Sequence, residues 1–179
     1  RIVMKGRLVG LNTLEKFQKI DKNKVLHDAF VASFLEGDIS ILTSFVLLTF
    51  ADLKNHKVVY WFGVPALLNK NDRPILVVQR ETLSTAWTAG ECSVLGQSIR
   101  SLRISTKSAS GGLPPYFLYR NDGQCQVLSK ESFAAIGGLE NVSSIIFGCF
   151  DPIGKNAPTT APVGWPIRNL VAYLSFHLG

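Results

Sequence analysis

Phe50-Ala51-Asp52-Leu53-Lys54, followed shortly by Val59-Tyr60-Trp61-Phe62-Gly63-Val64-Pro65-Ala66, is the densest aromatic stretch of the chain. An apolar run over residues 45–50 leads into it, and the polar segment 51–56 divides it. Two runs rich in aromatic and β-branched residues around a polar break read as two strands and a turn. Residues 57–64 are apolar at nearly every position. Such a strand needs cover on both faces, which predicts a place inside a sheet rather than at an edge. Gly63 and Pro65 mark its end.

Towards the N-terminus, residues 1–10 alternate weakly and predict a short edge strand with Ile2, Met4 and Leu8 turned to the core. Asn12 or Thr13 can accept from the orphan N–H groups of a first helix that carries Leu14, Phe17 and Ile20 at helical spacing. Asp21 can cap a second, longer helix, in which Leu26, Phe30 and Phe34 recur every fourth residue beside Val25 and Ala29. Gly37 stops it. That stripe needs a surface, and the hairpin at residues 45–64 is the natural one, with a third strand expected at residues 74–79 after a polar turn at 69–73.

Beyond it, residues 82–104 have helical spacing, with Leu83, Trp87, Leu95, Ile99 and Leu102 as buried positions and a break at Gly90; the Ser- and Gly-rich residues 105–112 read as loop. The runs 116–119 and 125–128 flank Asn121-Asp122-Gly123, a hairpin signal because Asp-Gly tolerates positive φ. Ser129 caps a short helix ending at Gly137-Gly138, residues 142–150 form a strand, and 151–164 a loop with three prolines, Pro152, Pro158 and Pro162. Trp165-Pro166 opens a last helix, where Pro at the first position loses no hydrogen bond. Leu170, Val171, Leu174 and Phe176 make it apolar around most of its circumference, hence buried. The element order predicts an α+β (mixed α/β) single domain with a central mixed sheet flanked by helices.

Composition agrees with a folded core: 179 residues suit one domain, with 46% hydrophobic and 18% charged residues. The net charge of +6 invites a polyanion, but the nineteen Lys and Arg form no block, and an acidic protein partner fits equally well. Cys92, Cys125 and Cys149 lie far apart without C-x-x-C spacing, which suits reduced thiols in a cytosolic protein. No charged-then-apolar leader follows Arg1 and no apolar run approaches the roughly twenty residues of a membrane span. The chain starts without Met and stops at Gly179, at the apparent end of a helix, which reads as a fragment.

Phosphate-loop, G-x-G-x-x-G, G-x-S-x-G and H-E-x-x-H patterns are all lacking, which speaks against a nucleotide or catalytic site within these residues. His27, His56 and His177 read as two helical positions and one turn, none at metal spacing to a cysteine. Cys92 is the most accessible thiol expected, yet no positioned base accompanies it, so an independent hydrolase built on it is a weak reading. Tyr60, Trp61 and Phe62 read first as core, with one side of the strand free to meet a partner.

The chain resembles a known family at Phe50-Ala51-Asp52-Leu53-Lys54, Tyr60-Trp61-Phe62 and Pro65-Ala66, which match an F-A-D-L-K…Y-W-F-x-x-P-A signature. Gly6 with Asn12-Thr13-Leu14-Glu15-Lys16-Phe17 and Asp21-Lys22 agrees in the same order. So do Leu113-Pro114 with Tyr116-Phe117-Leu118, Phe150-Asp151-Pro152, and Gly164-Trp165-Pro166-Ile167-Arg168-Asn169. The family is that of the autophagy-related-seven ubiquitin-like modifier-activating enzymes, and the likeness is to their amino-terminal domain; residues 70–110 carry little of it.

The resemblance implies that residues 1–179 are part of a domain that does no chemistry itself, with the adenylation domain, its ATP and magnesium and its catalytic cysteine outside the chain. It implies recruitment of the conjugating enzymes, autophagy-related three and ten, through a groove that receives a short segment of a flexible, mostly acidic insertion. The ubiquitin-like proteins autophagy-related eight and twelve then pass from the activating-enzyme thioester to those enzymes across a homodimer. Cytoplasmic location, including the pre-autophagosomal structure, follows by the same resemblance. Lys54, Lys57, Tyr60, Phe62 and Arg168 are the candidate partner-binding residues, the cations because an acidic segment would give the +6 charge a purpose. The alternative is a free-standing basic α/β module that binds RNA or another polyanion through Arg100, Arg103 and Lys107.

Overall fold

The computed structural model describes residues 4, 6–67, 87–110, 114–137, 140–141, 144–150 and 164–178. Ile2, Leu83, Gly138, the turn at 69–73, the strand expected at 74–79 and the loop at 151–163 lie outside them. The chain is α+β, as its element order implied, and divides into two compact units, Met4–Leu67 and the residues from Leu68 on. The described strands make two three-stranded sheets, one in each unit, where the element order suggested one central sheet.

The first unit runs β1 (Gly6–Leu11), α1 (Leu14–Lys19), α2 (Lys22–Leu35), a 3-10 turn (Ile39–Thr43), β2 (Phe45–Asp52) and β3 (Lys57–Gly63). Helix starts follow side-chain chemistry. Thr13 accepts from the Lys16 N–H at 3.2 Å and Asp21 from that of Lys24 at 3.0 Å, satisfying donors the helices leave unpaired. α2 ends where Gly37 takes φ 83°, so that its N–H reaches the Phe34 carbonyl and the Asp38 N–H the Ser33 carbonyl. A parallel pair cannot be joined by a tight turn, and the helices between supply the crossover from β1 to β2. β2 and β3 form the antiparallel hairpin read from the sequence, with Asp52 opposite Lys57.

The order β1-β2-β3 puts β2 in the centre and β3 at one end among the described strands; the further strand expected at residues 74–79 lies outside them. Val46 and Leu48 face inward and are fully buried, with Phe17, Phe30, Ile41 and Leu42 also in the core of this unit. On the opposite face Val58, Tyr60 and Phe62 of β3 stand across from Ala51, Thr49 and Leu47 and remain exposed. Leu8, expected in the core, pairs with Leu47 and also lies on that open face.

The second unit holds α3 (Ala89–Ser110), β4 (Tyr116–Arg120), β5 (Cys125–Val127), α4 (Lys130–Ala135), β6 (Ile145–Cys149) and α5 (Trp165–Leu178). Its sheet is antiparallel, in the order β5-β4-β6. Here is the strand covered on both faces: Tyr116, Phe117, Leu118 and Tyr119 are all buried. Phe117 and Tyr119 pack with Leu95 and Leu102 of α3, while the Tyr116 hydroxyl donates to the Pro166 carbonyl oxygen of α5 at 3.1 Å.

Three expectations change in this unit. Gly90 does not break a helix but sits in the first turn of α3, just after Thr88 and Glu91 close a reciprocal cap: Glu91 Oε2 accepts from the Thr88 N–H at 2.8 Å and Thr88 Oγ1 from the Glu91 N–H at 3.3 Å. The serines after Ile104 do not form a loop, because α3 continues to Ser110. Serine is a modest helix former rather than a breaker, and a packed helix carries such residues onward. α5 is not buried all round: Pro166, Asn169, Leu170 and Tyr173 make one buried stripe, while Arg168 and Phe176 are exposed.

Candidate functional site

The second helix of the first unit builds a groove. Asn23, Leu26, His27, Phe30, Val31 and Phe34 recur at the spacing of one helix face over three turns, and Pro65, Ala66 and Leu67, just after β3, form the other wall. The cleft has a volume of about 280 Å³, and its lining is apolar apart from Asn23 and His27. Of the predicted stripe only Phe30 is buried; Leu26 and Phe34 are half-buried, and Val31 is 38% exposed. The stripe therefore only partly serves the core. Beside the groove Lys24 Nζ donates to Asp28 at 2.5 Å, a bond that raises the lysine pKa and lowers that of the carboxyl, and His27 Nδ1 lies 3.6 Å from Asp28.

The opposite end of β3 forms a cationic tip. Asp52 accepts from the Asn55 side chain at 2.8 Å and from its backbone N–H at 3.2 Å, which closes the turn and holds the Asp52 pKa below its ordinary value. His56 completes the turn with φ 51°. Lys54 and Lys57 flank it, exposed, and form no ion pair among the described residues.

Four of the five predicted partner-binding residues are thus on one hairpin: Lys54 and Lys57 at the tip, Tyr60 (70% exposed) and Phe62 (52% exposed) on the open face. The rings of Phe62 and Phe45 stand 5.3 Å apart there. None of the four lines the groove. Arg168 is exposed on α5, in the other unit. Asn23, Val31 and Leu67 were not singled out in the sequence, and His27 was read only as a helical position away from metal spacing; the signal for this face was a helix with Val31 and Leu35 apolar outside the Leu26-Phe30-Phe34 line, more than one packing face needs. Arg100 and Arg103 are exposed on α3, and Cys92 is half-buried on the same helix. Among the described residues no group of three or more His, Cys, Asp or Glu stands together to hold a metal ion, and no helix is long and apolar enough to cross a membrane.

The family model described as "Ubiquitin-like modifier-activating enzyme ATG7 N-terminus" matches residues 1–179. The chain belongs to the ATG7 family. It is similar to the ubiquitin-like modifier-activating enzyme atg7 of Dictyostelium discoideum, 31% identical over 188 residues that cover 95% of this chain and 24% of that protein. The human ATG7 enzyme is 29% identical over 174 residues, 93% of this chain and 24% of its own length. That of Komagataella pastoris is 42% identical over 74 residues, 37% of this chain and 11% of that protein. The chain spans about a quarter of the first two ATG7 relatives. Pro65 and Ala66, part of the signature that first suggested the ATG7 family, are two of the groove's wall residues.

Proposed function

We propose that this chain is the recruiting part of an autophagy activating enzyme, and that the α2 groove receives apolar anchors from a flexible, mostly acidic segment of the conjugating enzymes autophagy-related three and ten. The observation that carries the reading is the groove itself: an apolar cleft flanked by an exposed helix face, the form of site that takes a few side chains of a short segment. The +6 charge supports an acidic partner, and the exposed Lys54 and Lys57 would add orientation and association rate more than affinity. Tyr60 and Phe62 offer apolar contact on the same hairpin, and Arg168 a further cation on α5.

Within this proposal the chemistry belongs to the rest of the enzyme: ATP- and magnesium-dependent activation of autophagy-related eight and twelve, thioester formation, and transfer across a homodimer in the cytoplasm. No step of it is routed through the residues described here. The chain contributes position, bringing the conjugating enzyme's cysteine within reach of the thioester.

The test is a titration of this chain with a peptide spanning the acidic segment of a conjugating enzyme, at low and high salt. Val31 is exposed enough for Val31→Asp to fold, which circular dichroism checks. Losing the burial of one apolar anchor corresponds to about 1.5–3 kcal/mol, or roughly a 10- to 150-fold weaker Kd that persists at high salt, with the new carboxylate's repulsion of the acidic segment adding to it at low salt. Lys54→Glu with Lys57→Glu should weaken binding several-fold at low salt, with the difference shrinking as salt screens it. Wild-type affinity in both variants would remove the groove and the hairpin tip from the reading.

A further inference from the structure

We draw no further inference here: the strongest candidate, the open apolar face of the β1-β2-β3 sheet with Leu8, Val58, Tyr60 and Phe62 exposed along it, is an unpartnered surface, and nothing in the structure shows what covers it.

Discussion

Tyr116→Phe tests how α5 is held to the second sheet. The wild-type hydroxyl donates to Pro166 across fifty positions of sequence, and the tyrosine is almost completely buried. The substitution keeps the ring and removes one neutral hydrogen bond. Pro166 lies in the first turn of α5, so its carbonyl also has the helix's own N–H four residues on as a partner and is not left bare. The loss at neutral pH should therefore be that of one net hydrogen bond, about 0.5–1.5 kcal/mol, rather than the larger penalty of an orphaned acceptor.

A second signature follows from ionisation. Burial, and secondarily the neighbouring Cys149, pushes the Tyr116 phenol well above its ordinary pKa. In the unfolded chain the phenol loses its proton near pH 10, whereas the folded chain keeps it. Above about pH 10 the unfolded state thus binds fewer protons, and stability falls as pH rises, with a limiting slope of about 1.4 kcal/mol per pH unit from this group. Below pH 9 both states are protonated and the contribution is constant. Urea unfolding of both proteins from pH 8 to 11 is the assay. The Phe variant should be less stable at pH 8, and the gap should close or reverse by pH 11. Parallel stability curves across that range would refute the buried, ionisation-resistant tyrosine.

Gly148→Ala should destabilise by about 1–3 kcal/mol in a thermal or denaturant melt, because Gly148 faces Phe117 across the β4-β6 pair and an added Cβ would fall within the Phe117 ring. Thr88→Ala should lose about 1 kcal/mol of stability by removing the α3 cap. The Thr88 backbone and hydroxyl bonds hold the Glu91 pKa below its ordinary value, so the wild-type advantage is present above about pH 4.3 and fades as pH falls through the folded value; an acid titration followed by circular dichroism reads this. Gly37→Ala should cost about 1–2 kcal/mol in the same melts, since φ 83° at the end of α2 is a left-handed conformation that a Cβ opposes.

Much of the local structure was legible because its signals lie within a few residues of one another. Thr13, Asp21 and Gly37 mark helix ends through bonds made within a few residues, and Asn121-Asp122-Gly123 marks a hairpin through Gly123 at φ 85°. The candidate site was legible only in part. Pro65 and Ala66 stood out in the family signature and Leu26, Phe30 and Phe34 by their period, yet nothing nearby in sequence says that the helix face and the segment after β3 meet as two walls.

The α+β class, the helix caps, the hairpins and the family are written in neighbouring residues and their order, where hydrogen-bond reach and period leave few alternatives. Which strand lies inside, which aromatic faces stay open, and whether a groove forms are decided by pairing between residues far apart. Lys57–Gly63 and Tyr116–Arg120 show the difference. Both are apolar runs of β-formers, but among the described residues the first stands at the end of its sheet with Tyr60 and Phe62 open, while the second is covered by α3 on one face and tied to α5 on the other. Apolar composition states only that cover would be favourable; the topology determines where that cover is found.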